Sequence, residues 1–124
     1  MYKSERIIDI ITMGCSKNLV DSEMLMRQFS ENGFKIYHNP ERLHGDIAVV
    51  NTCGFIGDAK EESINLIMDL CEKKKNGFIK KVYVMGCLSE RYLCELTKEI
   101  PQVDKFYGKF NWVELLNDLN LHYH

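Results

Sequence analysis

The sequence predicts an α/β fold, an open and mostly parallel sheet of about five strands with helices on both faces. Three observations predict it. Short β-type runs alternate along the chain with longer amphipathic segments, the pattern of successive βα units. One run, Ile47 to Val50, is continuously apolar, as in a central strand buried on both faces. The breaks fall at turn-forming stretches such as ENG, NPERLHG and Pro101. A length of 124 residues with 45% hydrophobic content suits one domain over residues 1–124 built on one core.

The elements follow in order. RIIDIITM (6–13) reads as a first strand. Asn18 is a candidate N-cap with Asp21 three residues on, and Leu19, Met24, Leu25 and Phe29 make the apolar side of a helix that Gly33 stops. FKIYH (34–38) is a short second strand and DIAVVNT (46–52) a third. Asp58 caps a second helix through Lys75, with Glu61 at its third position and Ile64, Ile67, Met68 and Cys71 at helical spacing. KKVYVMG (80–86) is a fourth strand, SERYLCELTKEI (89–100) a helix ended by Pro101, VDKFYG (103–108) a weak fifth strand and NWVELLNDL (111–119) a last helix. The expected strand order is 2-1-3-4-5, as in flavodoxin-like sheets.

No stretch of about 18 apolar residues is available to span a bilayer, and MYKSERIIDIITMG lacks the pattern of a secretory signal. A cytoplasmic location is expected, with no membrane partner. There, five cysteines argue for metal ligation, catalysis or packing rather than disulfides. A formal net charge of −2 gives no general drive toward nucleic acid. The basic cluster Lys73, Lys74, Lys75, Lys80 and Lys81 straddles a helix end and a strand start, where a solvated face is the expected role.

Cys15, Cys53 and Cys87 share one context: each follows a predicted strand and precedes a helix. In a parallel sheet those strand ends lie on one edge, the edge where ligands bind, and strands one, three and four would be neighbours there. Thiolates are the ligands of iron–sulfur clusters, and helix N-termini favour the thiolate form. The wide sequence spacing matches no compact CxxC pattern, so topology carries the argument, with buried packing as the competing reading. The adjacent Gly14, Gly54 and Gly86 would allow close backbone packing. Cys71 and Cys94 fall on helices among apolar residues and read as core; His38 and His44 read as loop residues, and His122 and His124 as a frayed terminus.

MGCSKNLVDSE, VVNTCGFIGDAKEESI and VMGCLSERY with ELTKEIPQVDKFYG closely resemble the N-terminal domain of the radical-SAM methylthiotransferases, over residues 7–108 in matching order. The forms CSKNLVDSE and NTCGFIGDAKEESI resemble the branch that modifies a ribosomal protein more than the branch that modifies tRNA. The resemblance implies that Cys15, Cys53 and Cys87 bind an auxiliary 4Fe-4S cluster, as both cofactor and metal ligands, with no catalytic side chain assigned here. It implies too that Asn18, Asp21, Ser22, Glu23, Asn51 and Thr52 shape the surroundings, although capping and surface exposure explain Asn18 and Glu23 equally. The family's enzymes add a second 4Fe-4S cluster and S-adenosylmethionine, and place a methylthio group on an aspartate of a small-subunit ribosomal protein. The implied partners are that protein, a sulfur donor and the enzyme's own radical-SAM domain, with no tRNA. The CxxxCxxC motif that holds the second cluster is absent from this chain, as are the barrel and the C-terminal module, so the chain alone is expected to be inactive. Two other readings stand beside this one: a tRNA methylthiotransferase domain, and a flavodoxin-like module that binds a ligand or partner and carries structural cysteines. The lack of a Gly-rich phosphate loop counts against the latter.

Overall fold

The structure, a computed structural model, describes residues 7–13, 16–52, 57–86, 93–108 and 113–119. Its strands are β1 (Ile7–Thr12), β2 (Lys35–His38), β3 (Ile47–Thr52), β4 (Lys81–Gly86) and β5 (Lys105–Phe106). Its helices are α1 (Ser16–Glu31), α2 (Gly57–Lys75), α3 (Leu93–Glu99) and α4 (Val113–Asp118). The strands form one sheet in the order β2-β1-β3-β4-β5, and each pairing is parallel. The predicted order and class are therefore those observed, with strand limits shifted by one or two residues.

Period-two alternation splits the central strands between two cores. Ala48 and Val50 of β3 and Val82 and Val84 of β4 face one side, where Ile67, Leu70 and Cys71 of α2 and Leu96 of α3 cover them. Val49, Tyr83 and Met85 face the other, with Ile8 and Ile10 of β1, and are covered by Leu25 and Phe29 of α1 and Leu115 and Leu116 of α4. Helices thus lie on both faces. Cys71 is core as predicted, and burial pushes its thiol above the ordinary range, which disfavours the thiolate. Cys94 lies on α3, its side chain outside the described part.

Two helix readings need correction. α1 begins at Ser16, so Asn18 is inside its first turn rather than capping it, and α2 begins at Gly57, which puts Asp58 inside likewise. Met24 and Met68, assigned to apolar sides, are exposed at 46% and 56%. The buried residues Ser22, Leu25 and Phe29, and Ser63, Ile67, Leu70 and Cys71, define inward faces on which each methionine is rotated out by about 100° from its apolar neighbour. Gly33 ends α1 as predicted: at φ +84° it allows Phe34 N–H to reach Phe29 C=O at 3.0 Å and Gly33 N–H to reach Ser30 C=O at 3.0 Å.

The lysine cluster lies at the edge where β4 begins, and acidic partners meet most of it. Lys73 pairs with Asp69 at 2.9 Å, Lys80 with Asp46 at 3.8 Å, and Lys74 and Lys81 with Asp104 at 3.0 and 3.6 Å. Asp104 also accepts the Val82 N–H at 2.8 Å, tying the turn before β5 to β4. Desolvation opposes ionisation of Asp104, but the Val82 N–H and the Lys74 and Lys81 ammonium groups together hold its carboxyl below the usual range. Its contribution to stability is therefore complete above the ordinary carboxylate pKa of about 3.9 and is lost as the pH falls from there through the lower folded-state value. Asp104→Asn is expected to cost about 1 kcal/mol near neutrality. In urea unfolding its deficit relative to the parent chain should shrink as the pH falls below the ordinary carboxylate value, as the parent carboxylate is protonated in turn.

Candidate functional site at the carboxyl edge of the sheet

β1, β3 and β4 are consecutive neighbours, and their ends are in register: Thr12 pairs with Asn51 and Thr52 with Gly86. The ladder runs one step past β1, where Met13 N–H donates to Asn51 C=O at 2.9 Å. At this edge α1 and α2 also start, so the positive ends of two helix dipoles lie here. Cys15, Cys53 and Cys87 follow these strand ends by three, one and one residues in sequence and lie outside the described residues, as do Gly14 and Gly54. Among the described residues no three His, Cys, Asp or Glu side chains come together to hold a metal.

What the described residues do show beneath this edge is a buried polar network. Thr12 Oγ1 donates to Ser22 Oγ at 2.6 Å and lies 2.7 Å from His38 Nε2, and Asn51 Nδ2 donates to the same Ser22 oxygen at 3.0 Å. Ser22, Asn51 and Thr52 are wholly buried. Thr52 Oγ1 donates to Met85 C=O at 2.7 Å, binding β3 to β4 one residue before Gly86. Asn39, in the left-handed region at φ +49°, accepts the Thr12 N–H at 2.8 Å and returns its own N–H to Ile10 C=O at 2.8 Å. Asn39, the first residue after β2, thereby clamps β1 through both its side chain and its backbone.

Gly86 completes the edge. Its φ is +100°, and a Cβ there would lie 2.5 Å from Thr52 O and 2.6 Å from Asn51 Oδ1. At this glycine the end of β4 packs closely against Thr52 and Asn51 of β3.

His38 departs from its reading as a loop residue: it is the last residue of β2 and half-buried, because Thr12 of the neighbouring strand takes its ring nitrogen. On its outer side an open cleft of about 360 Å³ is lined by Tyr37, His38, Pro40, Glu41, Arg42 and His44. The loop that forms it is fastened from below by the buried carboxylate of Asp9, which accepts the N–H groups of His44 (3.1 and 3.0 Å) and Gly45 (2.9 Å). His122 and His124 lie outside the described residues. Of the residues the family resemblance implicated, Ser22, Asn51 and Thr52 belong to the network, whereas Glu23 is exposed. Thr12, His38 and Asn39 were not singled out for a site by sequence reasoning, and a polar residue closing an apolar strand was the only local signal for Thr12. No described helix is long and apolar enough to cross a membrane.

Comparison with known proteins places the chain. A family model described as "Uncharacterized protein family UPF0004" matches residues 7–108. Among curated proteins, the chain is 70% identical to a protein of Phocaeicola vulgatus and 69% identical to one of Bacteroides thetaiotaomicron, over 94% of this chain and 27% of each relative. A protein of Bacteroides fragilis is 66% identical over 96% of this chain and 28% of its own length. All three are named ribosomal protein uS12 methylthiotransferase RimO. The chain spans little more than a quarter of the length of these relatives.

Proposed function

The chain belongs to the UPF0004 family, and from that premise we propose that it is the auxiliary-cluster domain, over residues 1–124, of a methylthiotransferase that acts on ribosomal protein uS12. One observation carries the reading: three neighbouring, parallel strands end in register at one edge of the sheet, and each is followed within three residues of sequence by a cysteine. The donor set fits the group that the family resemblance implies, since soft thiolates are the ligands of iron–sulfur clusters and the helices that start at this edge favour their ionised form.

Cys15, Cys53 and Cys87 would hold the cluster. When bound by three thiolates, a 4Fe-4S cluster supplies one open iron at which the sulfur to be donated can be held. The chain's own contribution is to present three ionised sulfurs from a rigid sheet edge, backed by the polar network that ties β1, β2 and β3 together. The second cluster, S-adenosylmethionine and the chemistry of transfer are assigned to the remainder of the full-length enzyme, so this chain alone is inactive. Its partners are the radical-SAM domain, a sulfur donor and uS12, in which an aspartate receives the methylthio group in the cytoplasm.

The charge distribution supports a protein substrate over tRNA. Phosphate binding draws on accessible Lys and Arg, and the lysine cluster lies where α2 ends and β4 begins, at the end of the sheet opposite the edge where α1 and α2 start. In cells lacking the full-length gene, mass analysis should find uS12 without its methylthio group and tRNA unchanged. Loss of a methylthio group from tRNA with uS12 intact would refute the assignment and favour the tRNA-modifying branch.

A further inference from the structure

We propose that His38, acting through Thr12, is a positioning residue for the cluster-binding edge. The proposal rests on the cluster reading above. The hydrogen-bonded chain from His38 Nε2 through Thr12 Oγ1 and Ser22 Oγ to Asn51 Nδ2 spans β2, β1, α1 and β3, with successive contacts of 2.7, 2.6 and 3.0 Å. Thr12 precedes Cys15 by three residues and Asn51 precedes Cys53 by two. The chain therefore fixes, relative to one another, two of the strand ends from which thiols follow.

Its placement argues that it does more than stabilise. Burying hydroxyl and amide groups costs free energy that hydrogen bonds only offset, and an apolar set of similar shape would hold the sheet as well. The middle of β3 and β4 does use apolar residues, Val49, Val50 and Val84, and the one buried carboxylate in the middle of β1, Asp9, is taken up by the N–H groups of His44 and Gly45. The polar set is concentrated where β1 and β3 give way to the cysteine segments. Hydrogen bonds fix direction and distance, which apolar packing does not, and three ligands must meet one cluster together. His38 closes the chain from the edge strand. When Thr12 gives its single hydroxyl proton to Ser22, it can only accept from the ring, so the imidazole carries a proton on Nε2. That nitrogen then orders the Thr12 hydroxyl toward Ser22 from outside the central strands.

The test uses this chain with ferrous iron and sulfide supplied anaerobically. The rate of iron loss to a chelator and the EPR spectrum of the reduced protein are measured for Thr12→Val, which keeps shape and deletes the hydroxyl, and for His38→Phe, which keeps a ring and deletes the nitrogen. Two controls accompany them. Thr12→Ser retains the hydroxyl, and Ile8→Val loosens the fully buried opposite end of β1 without touching the network. Thr12→Val and His38→Phe should release iron roughly 10-fold faster or more, the usual effect of removing an outer-shell partner, with altered EPR spectra, while Thr12→Ser and Ile8→Val keep the parent behaviour. If Thr12→Val and His38→Phe match Ile8→Val while the parent chain holds iron, the positioning role is overturned and the cluster reading stands. If the parent chain takes up no iron, both fall.

Discussion

Replacement of Cys15, Cys53 or Cys87 by alanine is expected to abolish iron retention, each alone, whereas Cys71→Ala and Cys94→Ala should retain it. The parent chain, reconstituted anaerobically, should turn brown and carry about four irons and four sulfides, the composition of a 4Fe-4S cluster. Removing one of three thiolates leaves two, too few to hold a cluster that already lacks a fourth protein ligand. Cys71 is in a different situation. It is 6% exposed, packs with Ile67, Leu70 and Val82, and its thiol is pushed up by burial, so it contributes volume rather than charge. Its loss should cost roughly 1 kcal/mol in chemical unfolding, as an ordinary core truncation does. Equal iron loss across all five variants would mean that the cysteines have been sorted wrongly. A parent chain that stays colourless after reconstitution would favour a ligand- or partner-binding module with structural cysteines.

The fold was legible because its signals are local. β3 and β4 alternate between two cores every second residue, and the uninterrupted apolar run from Ile47 to Val50 belongs to the strand at the centre of the sheet. What was illegible depends on distant residues. Met24 and Leu25 are adjacent and both apolar; which one faces the sheet is set by the roll of α1 against β1, which helical periodicity alone leaves open over a wide arc. The helix starts at Ser16 and Gly57 fall one or two residues ahead of Asn18 and Asp58, a shift that the local capping pattern of the sequence does not resolve. His38 was misread because its partner is 26 residues away in sequence. Thr12 with Ser22 and Ser22 with Asn51 are separated by 10 and 29 residues. A polar side chain at a strand end looks the same in sequence whether it meets water or a buried hydroxyl. The grouping of Cys15, Cys53 and Cys87 rests on their shared position after strands in the sequence; the observed order makes β1, β3 and β4 neighbours, while the cysteines themselves lie outside the described residues.

Gly86→Ala is expected to damage both the fold and the site, for reasons that can be separated by experiment. At φ +100° any Cβ strains the backbone, a cost of about 1–3 kcal/mol. Here the new methyl would also lie 2.5 Å from Thr52 O and 2.7 Å from Thr52 N, inside van der Waals contact with backbone that has little room to yield. Thr52 is held by its pairing with Gly86 and by the bond from its hydroxyl to Met85 C=O at 2.7 Å. The relief must therefore come from separating the ends of β3 and β4, the two places from which Cys53 and Cys87 continue. Strain and overpacking together predict a loss of about 2–5 kcal/mol in urea unfolding. Gly33→Ala isolates the conformational part. Its φ is +84°, but among the described residues nothing lies within 4 Å of the added methyl, and it sits at the far end of α1 from the cysteine edge. That variant should lose only about 1–2 kcal/mol and hold iron as the parent chain does. Gly86→Ala should lose iron even under conditions where circular dichroism shows it folded, because the spacing of two ligands, and not stability alone, has changed. If the two glycine variants prove alike in stability and in iron retention, then the contact between Gly86 and Thr52 does not set the geometry of the edge, and the coupling between strand spacing and cluster binding is wrong.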